Sequence, residues 1–337
     1  MRLYKKILIV ALALSSLSSL AQDIHFTMFN LSPLSLNPAN TGLMNADFRI
    51  ANSFRSQWRP IGDPVNTVAA SYDQQLYSLP NNISGGLIFI NDQAGGIDLV
   101  ENKLMGSLGI KRFGRKATLS GGVQIGLASK VFRSEFATYP QQYSRELGTF
   151  DPDLPSGEEG MRLSTLYLDV NIGGIVQFKT RKGPLTIGGA IFHVNAPDES
   201  FYKTGDRLLP RLVSHAEYDL SLTEKIFIRP AFIWMTLQKA QELVVGSAVG
   251  VRTKGNSLNV TGLFAGMNVR TGVNRNGDAF APYAGIDFKH FKVGVVYDIT
   301  YSDLQIATDR RGAIEFAVIY TSPYSAATKV TIPCERY

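Results

Sequence analysis

From Asn45 onward the chain alternates between apolar and polar positions. In NADFRIANSFRSQWRP, Ala46, Phe48, Ile50, Phe54 and Trp58 fall on one face, and Asp47, Arg49, Ser53, Arg55, Gln57 and Arg59 on the other. Successive side chains of a strand point to opposite faces, so this stretch presents one apolar and one strongly charged face. The same period predicts strands at 46–58, 65–76, 82–90, 99–112, 117–131, 163–178, 185–194, 212–222, 225–237, 242–253, 258–269, 280–289, 292–302 and 313–321. That makes about 14 segments, most of them as long as the roughly 9–11 residues a tilted strand needs to cross a bilayer. A soluble sandwich also alternates, but a charged face this long and regular fits a barrel with a wet lumen. The expected fold is all-β, a transmembrane antiparallel β-barrel.

The connections support that reading. Short turns are expected at 114–116, 181–184, 223–224, 254–256 and 290–291, and longer loops at 132–162, 195–211, 270–279 and 303–312. The connection at 238–241 is short for its class. Outer-membrane barrels keep their short turns on the periplasmic side, which would put both termini there. Aromatic residues gather near the predicted strand ends: Trp58, Tyr77, Phe113, Phe132, Tyr167, Phe178, Tyr283, Phe291, Tyr301 and Tyr320. Interfacial girdles produce this distribution, and so do ordinary core aromatics. Glycine pairs inside strands, as in LSGGVQIGLA and NIGGIVQF, suit barrel bends and crowded positions. On this register Arg49 and Arg55 face the lumen, and Phe48→Arg should disturb insertion far more than Arg55→Ala.

The segment before the first strand breaks the pattern. NLSPLSLNPANTG, residues 30–42, carries two prolines and no charge. Pro33 and Pro38 lack a backbone donor and argue against a central strand or a helix interior. An extended element, periplasmic or inserted in the lumen, is expected here, with Asn side chains bonding their own backbone.

At the start, MRLYKK, an apolar ILIVALALSSL and the small-x-small site Ser19-Leu20-Ala21 predict a signal peptide cleaved after Ala21. No cysteine lies there to accept a lipid. The expected organisation is a signal peptide at 1–21, a periplasmic or plug-like segment at 22–44, a barrel at 45–321 and a periplasmic tail at 322–337. Cleavage leaves 31 basic residues against 28 acidic ones, a net charge of +3 that gives no reason to expect nucleic acid. The single cysteine, Cys334, excludes an internal disulfide framework and a cysteine-based metal cluster.

Candidate chemistry is sparse. His25, His193, His215 and His290 show no metal-ligand spacing, and neither a G-x-S-x-G nor a phosphate loop occurs. A barrel hydrolase could use His193 or His215, but a lone strand histidine is more often a lumen or interface residue. DPDLPSGEEG, residues 151–160, clusters carboxylates without the spacing of an EF-hand loop and reads as a solvated loop. No cofactor, metal or catalytic residue is expected.

Four motifs carry a resemblance. DIHFTMFNLSPLSLNPANTG contains Asn37, Pro38, Ala39 and Gly42; FRSQWRPIGDP contains Arg55, Gln57 and Trp58; FHVNAPDESF contains His193, Asn195 and Pro197; and the terminal PCERY contains Cys334. In this order, across nearly the whole chain after the leader, they are similar to the PorP/SprF family of Bacteroidetes type IX secretion outer-membrane proteins. Thr27-Met28 stands where Ser-Gln is usual in that family, and Glu335 where Pro is usual. The resemblance implies a non-enzymatic outer-membrane barrel that supports secretion or surface attachment of a partner such as an adhesin, or gliding motility. The implied partners are that cargo, the periplasmic and outer-membrane secretion components, and outer-membrane lipids. The motif residues would contact partners or hold structure. The competing reading is a diffusion channel or small-solute transporter.

Overall fold

The computed structural model describes residues 24–79, 82–95, 99–132, 138–157, 162–202, 205, 207–238, 240–253, 259–272 and 277–324. The barrel strands are β1 (Phe48–Gln57), β2 (Val65–Gln75), β3 (Ile83–Ala94), β4 (Leu99–Phe113), β5 (Ala117–Phe132), β6 (Ser164–Thr180) and β7 (Gly183–Phe192). They continue as β8 (Arg211–Tyr218, prolonged by Leu220–Ser221), β9 (Ile226–Leu237), β10 (Ala240–Arg252), β11 (Val260–Gly272), β12 (Gly277–Phe288), β13 (Phe291–Thr300) and β14 (Arg311–Thr321). Every strand pairs antiparallel with its sequence neighbours. β1 also pairs with β14, with Arg55 opposite Glu315, so the 14-stranded sheet closes on itself. Closure leaves no edge, which is how a sheet satisfies its backbone in lipid. The Ser322 hydroxyl finishes the seam by accepting from the N–H groups of Asp47 (3.0 Å) and Phe48 (2.9 Å).

The alternation has the expected sense. Leu87, Phe89, Leu104, Leu108, Leu119 and Ile125 are 41–58 % exposed on the outer face. An apolar surface this extensive and continuous is a lipid-facing band. Arg49, Ser53 and Arg55 point inward and are buried. Phe48, Tyr72, Phe291 and Tyr320 form a chain of ring contacts, 4.8–5.9 Å between centroids, around the seam at the end where β1 begins.

Several expectations need correction. β1 starts at Phe48: Ala46 is buried, and Trp58, at φ +59°, ends the strand instead of continuing its apolar face. Tyr167 and Tyr283 are not girdle residues, because Tyr167 is buried with its hydroxyl donating to Glu101 (2.7 Å) and Tyr283 packs inside the barrel against Phe264. The longer loop expected at 270–279 is a tighter hairpin, because β11 runs to Gly272 and β12 starts at Gly277. The longest connection, between β5 and β6, carries a small hairpin of its own at Tyr143–Ser144 and Thr149–Phe150.

The segment before β1 is not extended. It forms three helical turns: a 3-10 turn at Phe29–Leu31, an α-turn at Pro33–Leu36 and a second 3-10 turn at Pro38–Asn40. Asn37 sits just before the last turn, with its side chain accepting from the Ala39 N–H (2.9 Å), and Pro38 occupies the first turn position. A side-chain cap followed by proline starts such a turn because the cap takes an orphan donor and proline has none to lose.

Candidate functional site: a filled lumen

The core of this protein lies inside the barrel, between its wall and residues 24–42. Phe29 and Leu36 pack with Phe192, Val213, Ile233 and Val244; Met28 and Leu31 with Ala281, Val296 and Ala317; Leu34 with Ile88 and Met105. Leu34, Asn37, Ala39 and Thr41 are fully buried. Among the described residues the wall makes room with inward-facing glycines. A Cβ on Gly122 would lie 2.3 Å from the Pro38 carbonyl oxygen, one on Gly109 2.4 Å from that of Thr41, and one on Gly173 2.0 Å from Asn37 Oδ1.

The segment runs the length of the lumen. Its start is at the end carrying the long β5–β6 and β7–β8 loops. There Arg211, the first residue of β8, donates to the Ile24 carbonyl (3.1 Å), and His25 Nε2 lies 3.0 Å from Glu242. Its far end is at the opposite rim, where the Gly42 N–H donates to Asp73 (2.7 Å) and the Gly42 carbonyl accepts from Gln75 (2.6 Å) and Lys111. Ile24 therefore lies at one end of the barrel and Tyr324 at the other, because the leading segment threads the lumen before β1 begins.

Two further polar clusters hold it. At the loop end, Arg55 donates to Thr27 Oγ1 (2.8 Å), Asp298 (2.9 Å), Glu315 and Gln57 (3.1 Å). Arg270 donates to the same Asp298 oxygen (2.8 Å), to Asp278 (2.5 Å) and to Thr27 Oγ1 (3.1 Å). Glu315 accepts the N–H groups of Thr27 (2.7 Å) and Met28 (3.0 Å). Charges out of water need this degree of pairing, and here the pairing also grips the segment. In the middle, the Asn37 amide donates to the carbonyls of Gly174 (3.3 Å) and Gly189 (3.0 Å) and lies 3.1 Å from His215 Nε2.

The residues singled out by sequence separate into groups. Asn37, Pro38, Ala39 and Gly42 meet the wall, and Arg55, a wall residue that also donates to Gln57, meets the segment at Thr27. Trp58 is 39 % exposed at the loop rim, with its N–H on the Gly312 carbonyl (2.9 Å). His193, buried at φ +57°, lies 2.9 Å from Asp169 through Nδ1. Asn195 is exposed and caps the overhang of β6, accepting from the Val170 N–H (3.1 Å) and donating to the Leu168 carbonyl (2.6 Å). Pro197 is buried, and its carbonyl accepts from the Leu208 N–H (2.9 Å). Cys334 and the tail beyond Tyr324 lie outside the described residues. Sequence reasoning missed Thr27, Asp73, Lys111, Asp169, Arg270, Asp298 and Glu315 as parts of the site. The available signal was inward-facing charge on strands remote in sequence.

Among the described residues, three cavities beside the segment measure about 20–30 Å³, room for about one water each. The turn-end interior near β9–β12 is filled by Phe227, Phe264 and Tyr283, with Arg229 stacked 4.2 Å from the Phe227 ring centroid. A larger concavity, about 630 Å³, lies on the outer face, lined by Val249, Leu263, Ala265, Ala284, Ile286 and Val295.

A closed, lipid-banded barrel of 14 strands with an occupied lumen is an outer-membrane β-barrel. Its sequence matches the model of the type IX secretion system membrane protein PorP/SprF over residues 18–320. The chain belongs to that family. No curated protein matches it. Among solved structures it is similar to the Ralstonia pickettii toluene transporter TbuX, at 9 % identity and TM-score 0.47, covering 86 % of this chain and 93 % of that one. It is also similar to a Pseudomonas aeruginosa FadL homologue, at 8 % identity and TM-score 0.46, covering 86 % and 93 %.

Proposed function

We propose that this protein is a non-enzymatic, non-conducting docking barrel of the type IX secretion system. It supports secretion or surface attachment of a partner such as an adhesin, or gliding motility, through protein–protein contacts. The observation that carries the reading is the occupied lumen: residues 24–42 run through it with Leu34, Asn37, Ala39 and Thr41 fully buried, and the cavities described beside them are the size of single waters. A diffusion channel needs a continuous wet path. His193 and His215 are 1 % and 4 % exposed beneath the segment, which favours a structural role over a hydrolytic one. With the long loops outward, as in other outer-membrane barrels, the end of β14 faces the periplasm and Ile24 faces the cell surface. The loop end also offers a docking face, since the hairpin of the β5–β6 connection exposes Tyr143, Leu147, Phe150 and Leu154.

Planar-bilayer recording tests the reading. The full chain should be silent and should co-purify with secretion components or cargo. Steady conductance by the intact chain would move the assignment to a channel.

A further inference from the structure

Residues 24–42 contribute no rung to the sheet. They are held the way a receptor holds a peptide, by wall side chains aimed at backbone groups. Gln124 donates to the Leu34 carbonyl (2.9 Å), Ser120 to that of Ala39 (2.6 Å) and Arg49 to that of Asn40 (2.8 Å). Side chains are read as well: Arg55 and Arg270 donate to the Thr27 hydroxyl (2.8 and 3.1 Å), and the Thr41 hydroxyl lies 2.5 Å from that of Ser107. Asn37 fills a notch over Gly173, between the carbonyls of Gly174 and Gly189 and the His215 ring. Shape supplies the rest, because Gly109 and Gly122 admit the Pro38–Thr41 backbone where any Cβ would collide with main-chain atoms. From Phe26 to Met44 the segment bears no charge, while the charges around it pair across the wall or point at its amides and carbonyls. A charged side chain in this turn would be buried unpaired, which is costly.

We propose that the lumen wall is a peptide-binding site for an uncharged Asn-Pro-Ala turn, occupied in cis by residues 24–42 and able to take the same turn in trans. The tether explains why the cis occupant dominates. A short linker holds a ligand at an effective concentration of about millimolar, against which a free peptide competes poorly. Leu43 and Met44 are only partly buried and Asn45 is exposed, so the tether can be cut without touching the seat.

The test uses the full chain with a site-specific protease sequence inserted after Met44. The protein is folded and purified in detergent before cleavage. The probe is a fluorescent synthetic peptide of residues 24–42. The cleaved segment should stay with the barrel through gel filtration and then exchange for the probe, whereas the uncut chain should not take the probe up. An Asn37→Ala peptide should compete about tenfold or more weakly, a difference of about 1.4 kcal/mol. The cleaved barrel carrying Gly122→Val should bind no probe, and if that variant does not fold, the Asn37→Ala competition on the unaltered wall decides alone. Equal competition by a scrambled peptide would overturn the proposal. So would a cleaved barrel that loses its segment and cannot rebind it, or one that never exchanges it.

Discussion

Arg55→Ala should be among the most damaging single changes in the wall. The guanidinium is 2 % exposed, and Asp298 and Glu315 beside it are 0 % and 2 % exposed. Removing one partner of a buried ion pair strands the other and costs roughly 3–5 kcal/mol. Two features lower the figure here. Asp298 keeps Arg270 at 2.8 Å, and Glu315 keeps the N–H groups of Thr27 and Met28. The expected loss is therefore about 3 kcal/mol, at the bottom of that range. Urea titration of liposome-reconstituted protein, followed by the mobility of the folded form on unboiled gels, measures it. Arg55→Met combined with Glu315→Gln removes the charge pair while keeping an acceptor for the segment, and should recover at least half of the loss. This reverses the sequence-based ranking, in which Arg55 sat in a wet lumen and Phe48→Arg was the severe change. A loss below about 1 kcal/mol for Arg55→Ala, the worth of a solvated pair, would refute the dry-lumen reasoning.

Other changes follow from the same geometry. Leu108 is 56 % exposed on β4 and five residues from Phe113 at the turn-end rim. At about 2.4 Å of height per tilted residue that places it near the middle of a roughly 25 Å apolar band, so Leu108→Arg should cost about 2–4 kcal/mol of insertion free energy. Phe48→Arg, within the seam's ring contacts at the rim, should cost about 0–1 kcal/mol, and equal effects on liposome folding yield would sink this register. The closed hydrogen bonding predicts faster migration of unboiled than of boiled protein, and identical mobility of membrane-extracted material would count against closure. Deleting residues 24–42 with the leader retained should leave a heat-modifiable barrel that now conducts in planar bilayers and no longer delivers its partner to the surface. A silent or unfolded deletion product would make the segment a folding element instead.

The barrel was legible in the sequence because lipid and lumen impose opposite demands on alternate residues, and the sequence obeys both through 14 strands. The contents of the lumen were not legible, for two physical reasons. Charge looks the same in sequence whether it is solvated or paired. Arg55 meets Asp298 and Glu315 across 243 and 260 residues of chain, a juxtaposition that only closure creates. Glycine is ambiguous in the same way: Gly122 and Gly173 read as bends, but their missing Cβ atoms, with that of Gly109, make the surface on which Asn37–Thr41 lies. The turn was signalled in the sequence, although the prolines led to the expectation of an extended segment. Asn followed by Pro is a cap and a first turn position, and a segment uncharged from Phe26 to Met44 fits a dry seat better than an aqueous one. Those two observations bear on function together. A lumen whose apolar core, Glu315 carboxylate and side-chain donors all find partners on one segment cannot be emptied piecemeal, since each partial withdrawal leaves a buried donor or acceptor unpaired at about 1–3 kcal/mol. Passage through such a barrel, or exchange of one such turn for another, would require the whole segment to leave at once, whereas docking at its loop face does not.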